Sequence, residues 1–505
     1  MLKKTTRGRL MIAITCILLD CCAIIYLNFF RNFFRKDAVD LLRKFYRRDS
    51  YENISCNFEC YFAYDNSVVM TKAVASSLSE KTKKKSRRGT NMTIITECEL
   101  PKCYGAMETA RFCRKNILIT QGIITFFTDV VITVNECVQT EVGLKTYEYE
   151  KNDTYLKIDG VDYTADLKKL LKKLAENPST VIALLDRWRK ALYLESMSGE
   201  TDLLHDEVAL NLFQIVELLA NSLGNDFKNR LSEKADTFLE DYYRDCYMTE
   251  IQSKEMARNI KKSVEKLLQK DFDALSKKIK YFLDCHGLLD PDVSDFVDDV
   301  VKIRNSIAHG REIIQKNFMR PLPTFFNLMK DSYEVTDILK VLVSAMIEKY
   351  VGTNRWGKEW QTTRQFLTPS KITMEQFFND NFSGEIINNV ALIKGNRYNI
   401  TWDSLFDFYV KNPKSKIWEK IEMTLKNEFL NAVLDEEDAT GLFNISIILA
   451  DSSDDDIKTK AIANVEEIIS KRLYGWANFK DVLGYLEFHS VQVKWYREFL
   501  EDMRY

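Results

Sequence analysis

The sequence predicts an α+β protein with a β-rich N-terminal domain, an α-helical bundle after it and a further, mostly helical C-terminal region. Three observations lead to this fold class. Runs of β-branched and aromatic residues recur over residues 91–165, and a helical period of apolar residues begins near residue 166. The 505 residues include only 7 prolines and 17 glycines and are 46% hydrophobic, which is typical of a globular chain with more than one core.

The predicted β-rich domain spans residues 91–165. It contains the segments NMTIITECEL, NILITQGIITFFTDVVITV and TYEYE, which are rich in residue types that favour strands. A fourth segment, TYLKIDGVDYT, has Asp159-Gly160 between two short strand-like runs, and this dipeptide favours a tight hairpin turn.

Helical periodicity divides the remaining chain into a bundle over residues 181–352 and a helical C-terminal domain over residues 353–505. Within the bundle, one helix has an apolar stripe made of Leu204, Val208, Leu212, Ile215 and Leu219. A long, charged amphipathic helix is predicted over about 253–284. The acidic run at 450–456 predicts a solvated loop rather than a metal site.

The first 90 residues are an apolar, cysteine-rich segment. Nine of the eleven cysteines lie within the first 137 residues, and this odd, uneven set argues against a disulfide framework. The pairs Cys56/Cys60 and Cys98/Cys103 would be able to supply four thiolates to zinc, although their gaps are wider than those of the usual zinc knuckle. We expect reduced structural thiols instead.

Residues 10–30 are long and apolar enough to span a bilayer. Asp20 and Asn28 would be costly inside the hydrocarbon layer, and basic residues flank both ends of the segment. The flank that follows is the more basic one, so a span would leave the bulk of the chain in the cytosol. The alternative is a buried helix or a pair of strands in a cytoplasmic protein, and the sequence leaves both open.

The net charge of −2 excludes a surface that binds polyanions over its whole extent. Any contact with nucleic acid must therefore be a local basic patch. The sequence also lacks a nucleophile elbow and a glycine-rich, phosphate-cradling loop, which argues against the two best-defined hydrolase motifs.

A local basic patch occurs in KIRNSIAHGR, residues 302–311, at the end of a helix predicted over residues 290–309. Asp290 is expected to cap this helix and Pro291 to begin it, and Gly310 is the residue type that ends helices. The predicted apolar stripe consists of Phe296, Val300, Ile303 and Ile307.

Asn305 and His309 are four residues apart and lie on one helix face, whereas Arg304 is about 140° away from His309 around the axis. A helix C-terminus favours the imidazolium form of His309, and the neighbouring cations oppose it, so we expect titration near neutrality. Histidine can then move protons at the 2′-hydroxyl or the leaving oxygen of RNA, while arginine holds the phosphate.

The sequence RNSIAHG resembles the Arg-x4–6-His motif of HEPN domains, including the polar residue after arginine. The motif stands late in a helical region of HEPN length, and the upstream helices resemble the Apea-like branch, which is associated with antiviral defence and abortive infection. This resemblance implies a metal-independent endoribonuclease that needs no cofactor and leaves a 2′,3′-cyclic phosphate.

The resemblance also implies roles for particular residues. Arg304 and His309 are the expected catalytic pair, with Asn305 and Glu217 supporting them, and Lys302 and Arg311 are expected to contact RNA. HEPN sites are built by two facing domains, and this chain has one motif, so a homodimer is expected. Two alternatives remain open, namely a non-catalytic HEPN scaffold that binds RNA or nucleotide, and a membrane-anchored sensor.

Overall fold

The computed structural model describes residues 54–64, 67–75, 93–98, 106–129, 131, 154–158, 160–198, 204–308, 330–364, 367–379, 400–412, 422–423, 425–434, 439–473 and 479–502. These residues fall into two compact units. The N-terminal unit comprises the described residues within 54–308 and 332–364, and the C-terminal unit comprises those within 367–502 together with residues 330–331.

The strands of the N-terminal unit form one antiparallel sheet in the order β3-β2-β1-β4-β5. Their bounds are β1 Ile54–Tyr64, β2 Ser67–Ala75, β3 Thr93–Cys98, β4 Tyr155–Ile158 and β5 Val161–Asp162. Gly160 has a φ of 83° between β4 and β5, a conformation that glycine adopts without strain. The hairpin turn predicted at Asp159-Gly160 is therefore confirmed.

The expectation of a β-rich domain over residues 91–165, and with it the α+β fold class, is wrong. Its longest predicted strand segment, 116–134, forms most of helix α1, Ala106–Thr128. Among the residues whose side chains are described, 81% are helical and 2% lie in strands. Those strand residues belong to the hairpin of β4 and β5. Residues 119–128 are all buried, and burial on every side removes the amphipathic period by which a helix is recognised.

Nine further helices lie in the described part of the N-terminal unit. They are α2 Thr164–Glu176, α3 Pro178–Ser198, α4 His205–Ser222, α5 Gly224–Asp245, α6 Glu250–Asp273, α7 Leu275–Cys285, α8 Pro291–Ala308, α9 Lys330–Val351 and α10 Gly357–Thr363. The helical character expected of residues 181–352 is present in the described part of that range.

The core of this unit surrounds α1. Gly122 lies so close to α3 that a Cβ atom there would be 2.9 Å from the Cβ of Leu185. One turn later the rings of Phe126, Trp188 and Trp356 pack edge-on or tilted, with centroids 6.0–6.2 Å apart. The Trp356 indole also donates a hydrogen bond to the carbonyl of Phe126, which satisfies an acceptor at the end of α1.

Helices α5 and α6 form an antiparallel hairpin with a small core of its own, made of Leu239, Tyr243 and Ala257. The base of the hairpin packs on α7, where the rings of Phe227 and Tyr281 are 5.0 Å apart. A capping box at Thr249 begins α6.

The C-terminal unit is helical in its described part. Its helices are α11 Lys371–Asn379, α12 Trp402–Lys411, α13 Lys426–Leu430, α14 Ala439–Leu449, α15 Asp455–Ser470, α16 Phe479–Phe488 and α17 Lys494–Asp502. One continuous apolar cluster, centred on Phe443 and Tyr496, joins them. Within the acidic run at 450–456, Asp454 caps α15 by accepting the N–H groups of Asp456 and Ile457.

Candidate functional site

Helix α8 carries the predicted site, and its start matches the sequence-based expectation. The side chain of Asp290 accepts the N–H of Val293 at 2.8 Å, and Pro291 is the first helical residue. These positions confirm the predicted cap. The Asp290 carboxylate accepts a backbone N–H that has no partner within the helix, and Pro291 has no backbone N–H that would need one. The buried face holds Phe296 and Val300, and the structure describes the helix as far as Ala308.

Arg304 lies near the end of α8 and reaches across to α4. Its Nη2 is 2.7 Å from Oε1 of Glu217, and its Nη1 donates to Oδ1 of Asn305 at 3.1 Å. The guanidinium carbon is 5.6 Å from the ring centre of Phe213, one helical turn before Glu217. Arg304 and Glu217 keep 32% and 26% of their side-chain surface exposed, so the guanidinium is held in place yet reachable from solvent.

A small cleft between α4, α8 and α9 lies beside this ion pair. Its lining is apolar except for Arg304 and Thr336, and consists of Ala209, Phe213, Val300, Ile303, Arg304, Ile307, Val335, Thr336 and Leu339. Two residues of the predicted core stripe, Ile303 and Ile307, are thus only partly buried and form one wall. The guanidinium therefore borders low-dielectric surface, where its charge interacts more strongly than in water.

Lys302 points to a different partner. Its ammonium group is 2.9 Å from Asp299, and this hydrogen bond raises the pKa of Lys302 above its ordinary value. Both side chains are exposed. Acidic residues crowd the earlier turns of the same helix, at Asp292, Asp295, Asp298 and Asp299. An anionic ligand would therefore be repelled along most of α8 and attracted only near its C-terminal end.

The structure brings together three of the six predicted site residues, Arg304, Asn305 and Glu217, and leaves Lys302 with Asp299. His309 and Arg311 lie outside the described residues. The roles of all six stay predictions.

The other histidines within the described residues have structural contacts. His205 is buried at the start of α4, and the ring of His286 stacks on Phe282 with centroids 4.2 Å apart. His489 packs against Tyr485, with ring centroids 4.6 Å apart. These contacts are those of residues that contribute to packing.

Sequence reasoning missed a buried cluster of charge in which Lys340 of α9 lies between two carboxylates. Its Nζ is 3.4 Å from Asp129, at the end of α1, and 2.9 Å from Glu195 of α3. Burial raises the pKa of Asp129 to about 6 against the attraction of Lys340. Burial by itself would lower the pKa of Lys340, but the nearby carboxylates have the larger effect and raise that pKa. A lysine in the apolar run ILKVLVSAMI was the one sequence feature that pointed to this cluster.

In the part of the chain that the structure describes, side chains that ligate metals are not gathered into a site. No group of three or more His, Cys, Asp or Glu side chains there could hold a metal ion. Cys246 and Cys285 are exposed and free, and the side chains of the two cysteine pairs that were considered for zinc are outside the description.

Among the described helices, none combines the length and apolarity needed to cross a bilayer. The predicted span at residues 10–30 lies outside the described residues. Compared with known proteins, this chain matches no family model, no curated protein sequence and no solved structure.

Proposed function

We propose that this chain is a metal-independent endoribonuclease of HEPN type. The observation that supports the proposal is the setting of Arg304, a partly exposed guanidinium near the end of α8 that Glu217 and Asn305 hold in place. His309 follows the last described residue of that helix directly in the sequence. An oriented guanidinium can stabilise charge on the phosphate and a histidine can transfer protons, which are two contributions that assist cleavage of RNA by its own 2′-hydroxyl.

In the proposed reaction the 2′-oxygen attacks the adjacent phosphorus and the bond to the 5′-oxygen breaks. The products are a 2′,3′-cyclic phosphate and a 5′-hydroxyl. Two proton transfers accompany this exchange, because the 2′-hydroxyl loses a proton and the leaving 5′-oxygen gains one. His309 carries out one of them, and the partner subunit's His309 or water carries out the other. Arg304 stabilises the charge that builds on the phosphate; a guanidinium has five N–H donors, and the two described hydrogen bonds use two of them.

Glu217 and Asn305 act in this proposal as positioning residues. They contact the guanidinium rather than the substrate, and they fix its plane before RNA arrives. Such preorganisation matters because a charged group that is already oriented pays no reorganisation cost during the reaction.

The expected partners follow from the same reading. RNA is the substrate, Lys302 and Arg311 contact its backbone, and Lys302 exchanges Asp299 for a phosphate. A homodimer completes the site, since the chain has one Arg-His motif. We place the protein in the cytoplasm and in antiviral defence or abortive infection, with attachment to a membrane through residues 10–30 as the alternative.

A second candidate is a scaffold that binds RNA or nucleotide without cleaving it. The observation in its favour is that Arg304 and Lys302 both already have carboxylate partners. An ion pair between α4 and α8 would serve packing equally well in a non-catalytic protein.

One measurement distinguishes the two candidate functions, namely cleavage of end-labelled RNA by the purified full chain in EDTA. We expect the wild-type protein to leave 2′,3′-cyclic phosphate ends and the variants His309→Ala and Arg304→Ala to lose cleavage. Lys280→Ala is the matched control, since it removes another ion pair of α8, that between Lys280 and Asp298 at 2.8 Å. If the wild-type protein binds RNA and leaves it intact, the scaffold is correct; if His309→Ala and Arg304→Ala cleave like the wild type, the assigned residues are wrong.

A further inference from the structure

Arg187 is a cation that a neutral side chain holds in place. It lies on α3, and its Nη1 donates a hydrogen bond to Oε1 of Gln214 on α4. Arg187 is partly exposed and Gln214 is exposed, so their contact lies on the outer surface of the two helices. No carboxylate among the described residues forms an ion pair with Arg187. The amide oxygen therefore orients the guanidinium and leaves its positive charge uncompensated.

Packing alone does not account for an arginine at this position. The Nε of Arg187 is buried and has no hydrogen-bond partner within the described structure. A buried donor without an acceptor costs stability, whereas an apolar side chain of similar length would cover the same surface without this cost. The observation favours a role for the charged end of the side chain.

The surface around this guanidinium is positively charged. Residues 186–190 of α3 contain three cations and one carboxylate, that of Asp186. This carboxylate is shared, since it lies 2.9 Å from Arg189 and 2.6 Å from Lys190. The segment 208–216 of α4 contains no charged residue. This part of the surface therefore attracts anions.

Arg187 and Arg304 reach the same stretch of α4 from two helices that pack against it, α3 and α8. Arg187 bonds to Gln214, and Arg304 bonds to Glu217, three residues later. Residues three apart are neighbours on a helix surface, with about 5–6 Å between their Cβ atoms. The two guanidinium groups therefore border one patch of surface, within the span of a few adjacent nucleotides.

The charges on α8 oppose the other direction for a bound strand. Asp295, Asp298 and Asp299 lie on the turns that precede Arg304, and they repel phosphates. A strand that leaves Arg304 across α4 meets uncharged residues and then the cation of Arg187.

From these observations we propose that Arg187 binds a phosphate of the RNA strand that is cleaved at Arg304, so that the strand crosses α4 near Gln214. The inference rests on the proposed function, because it concerns the RNA that reaches Arg304. Arg187 takes no part in breaking the bond; it holds a neighbouring nucleotide. Its contact is with the sugar–phosphate backbone and is therefore independent of the base sequence.

The test is binding of a fluorescent, single-stranded 2′-O-methyl oligonucleotide of about 12 nucleotides to the full chain over a series of salt concentrations. This probe has no free 2′-hydroxyl and is not cleaved. We expect Arg187→Ala to weaken binding about 5-fold at about 0.1 M salt and to lower the slope of log K against log salt by about 0.7, as for one phosphate contact on a single strand. Arg244→Ala is the matched control, since Arg244 already has carboxylate partners in Glu240 and Asp241, and it should keep the wild-type affinity and slope.

A second variant changes the charge and keeps the arginine. Gln214→Glu gives Arg187 a carboxylate partner, so the contact between α3 and α4 remains while the cation is compensated. We expect this variant to keep the wild-type melting temperature and to lose affinity as Arg187→Ala does. Gln252→Glu adds the same charge in the capping box of α6, where glutamate fits equally well, and should bind like the wild type.

Wild-type affinity and salt slope in both Arg187→Ala and Gln214→Glu overturn the proposal, and so does a wild-type protein that does not bind the oligonucleotide. Failure of the ribonuclease is separate: unmodified RNA then stays intact in the cleavage assay, while Arg187→Ala still weakens binding.

Discussion

Glu217 and Arg304 are 87 positions apart in the sequence, and their side chains meet at 2.7 Å between α4 and α8. The pair is partly exposed, so its Coulomb energy alone adds little to stability. Its effect is geometric: a carboxylate on one side and the Asn305 carbonyl on another fix the plane of the guanidinium.

This geometry predicts the effect of Arg304→Lys. A lysine keeps the positive charge but replaces a planar group of five donors by a point charge on a flexible chain, so it does not engage Glu217 and Asn305 in the same way. We expect RNA cleavage to fall about 100-fold, as on loss of one oriented donor to a reacting centre. Single-turnover cleavage measures the effect, with the melting temperature as the check on folding.

The matched control is Arg230→Lys, which changes an arginine beside Tyr281 on α5, outside the proposed site, and should cleave at the wild-type rate. Full cleavage by Arg304→Lys would mean that only the charge at this position counts, and the positioning roles of Glu217 and Asn305 would then be wrong.

The start of α8 was predictable because its determinants are local. An Asp-Pro pair acts within one turn, so the sequence around Asp290 was enough. The contact between Arg304 and Glu217 depends instead on how two helices pack. An acidic residue on α4 could be suspected from the family resemblance, but no local rule selects Glu217 over Glu207.

The wrong prediction of strands in the region of α1 has a different cause. A helix is recognised from sequence by one apolar and one polar face, and residues 119–128 of α1 are buried on every side. Its many β-branched residues then favour the strand interpretation. The cluster of Asp129, Glu195 and Lys340 was missed for a related reason, since its members lie on three elements and meet only in the folded chain.

Close packing of α1 on α3 predicts that Gly122→Ala destabilises the protein. The added Cβ would stand 2.9 Å from the Cβ of Leu185 and 3.2 Å from its carbonyl oxygen, so two helices have to separate. We expect a loss of about 1–3 kcal/mol in the free energy of unfolding, as for other overpacked cores. Urea unfolding measures it.

Gly224→Ala is the control for this substitution, because no atom lies within 4 Å of the new Cβ and the position is the first residue of α5. Its effect should stay within about 0.5 kcal/mol. Equal unfolding midpoints for the two variants would show that α1 and α3 do not pack as described.

The charged cluster at Lys340 predicts a large effect of Lys340→Met. Methionine fills a similar volume, but its substitution leaves the buried Asp129 without its cation. Removing one partner of a buried pair costs about 3–5 kcal/mol, because an uncompensated charge or a forced protonation remains. Lys349→Met, an exposed change on the same helix, should cost less than about 0.5 kcal/mol.

A double variant checks the cause. Asp129→Asn added to Lys340→Met removes the stranded carboxylate, so it should recover part of the lost stability. If Lys340→Met is as stable as Lys349→Met in urea, the lysine is not needed to compensate the carboxylates.

Asp129 also predicts how stability depends on pH. Burial raises its pKa from the ordinary 3.8 to about 6, although Lys340 and Arg355 attract the charge and Glu195 repels it. Between these two pH values the folded protein binds a proton at Asp129 that the unfolded chain releases. This contribution to stability is therefore complete below about pH 4 and is lost as the pH rises through 6, by about 3 kcal/mol in all.

Urea unfolding at a series of pH values measures this loss as a shift of the midpoint. Asn at position 129 has no proton to release, so Asp129→Asn should flatten the wild-type decline between pH 4 and 6, while the exposed change Asp241→Asn should preserve it. The comparison isolates one group because other carboxylates contribute equally to the wild type and to both variants. A decline of the same size in Asp129→Asn would assign it to other groups, and Asp129 would then be ionised beside Lys340 throughout this range.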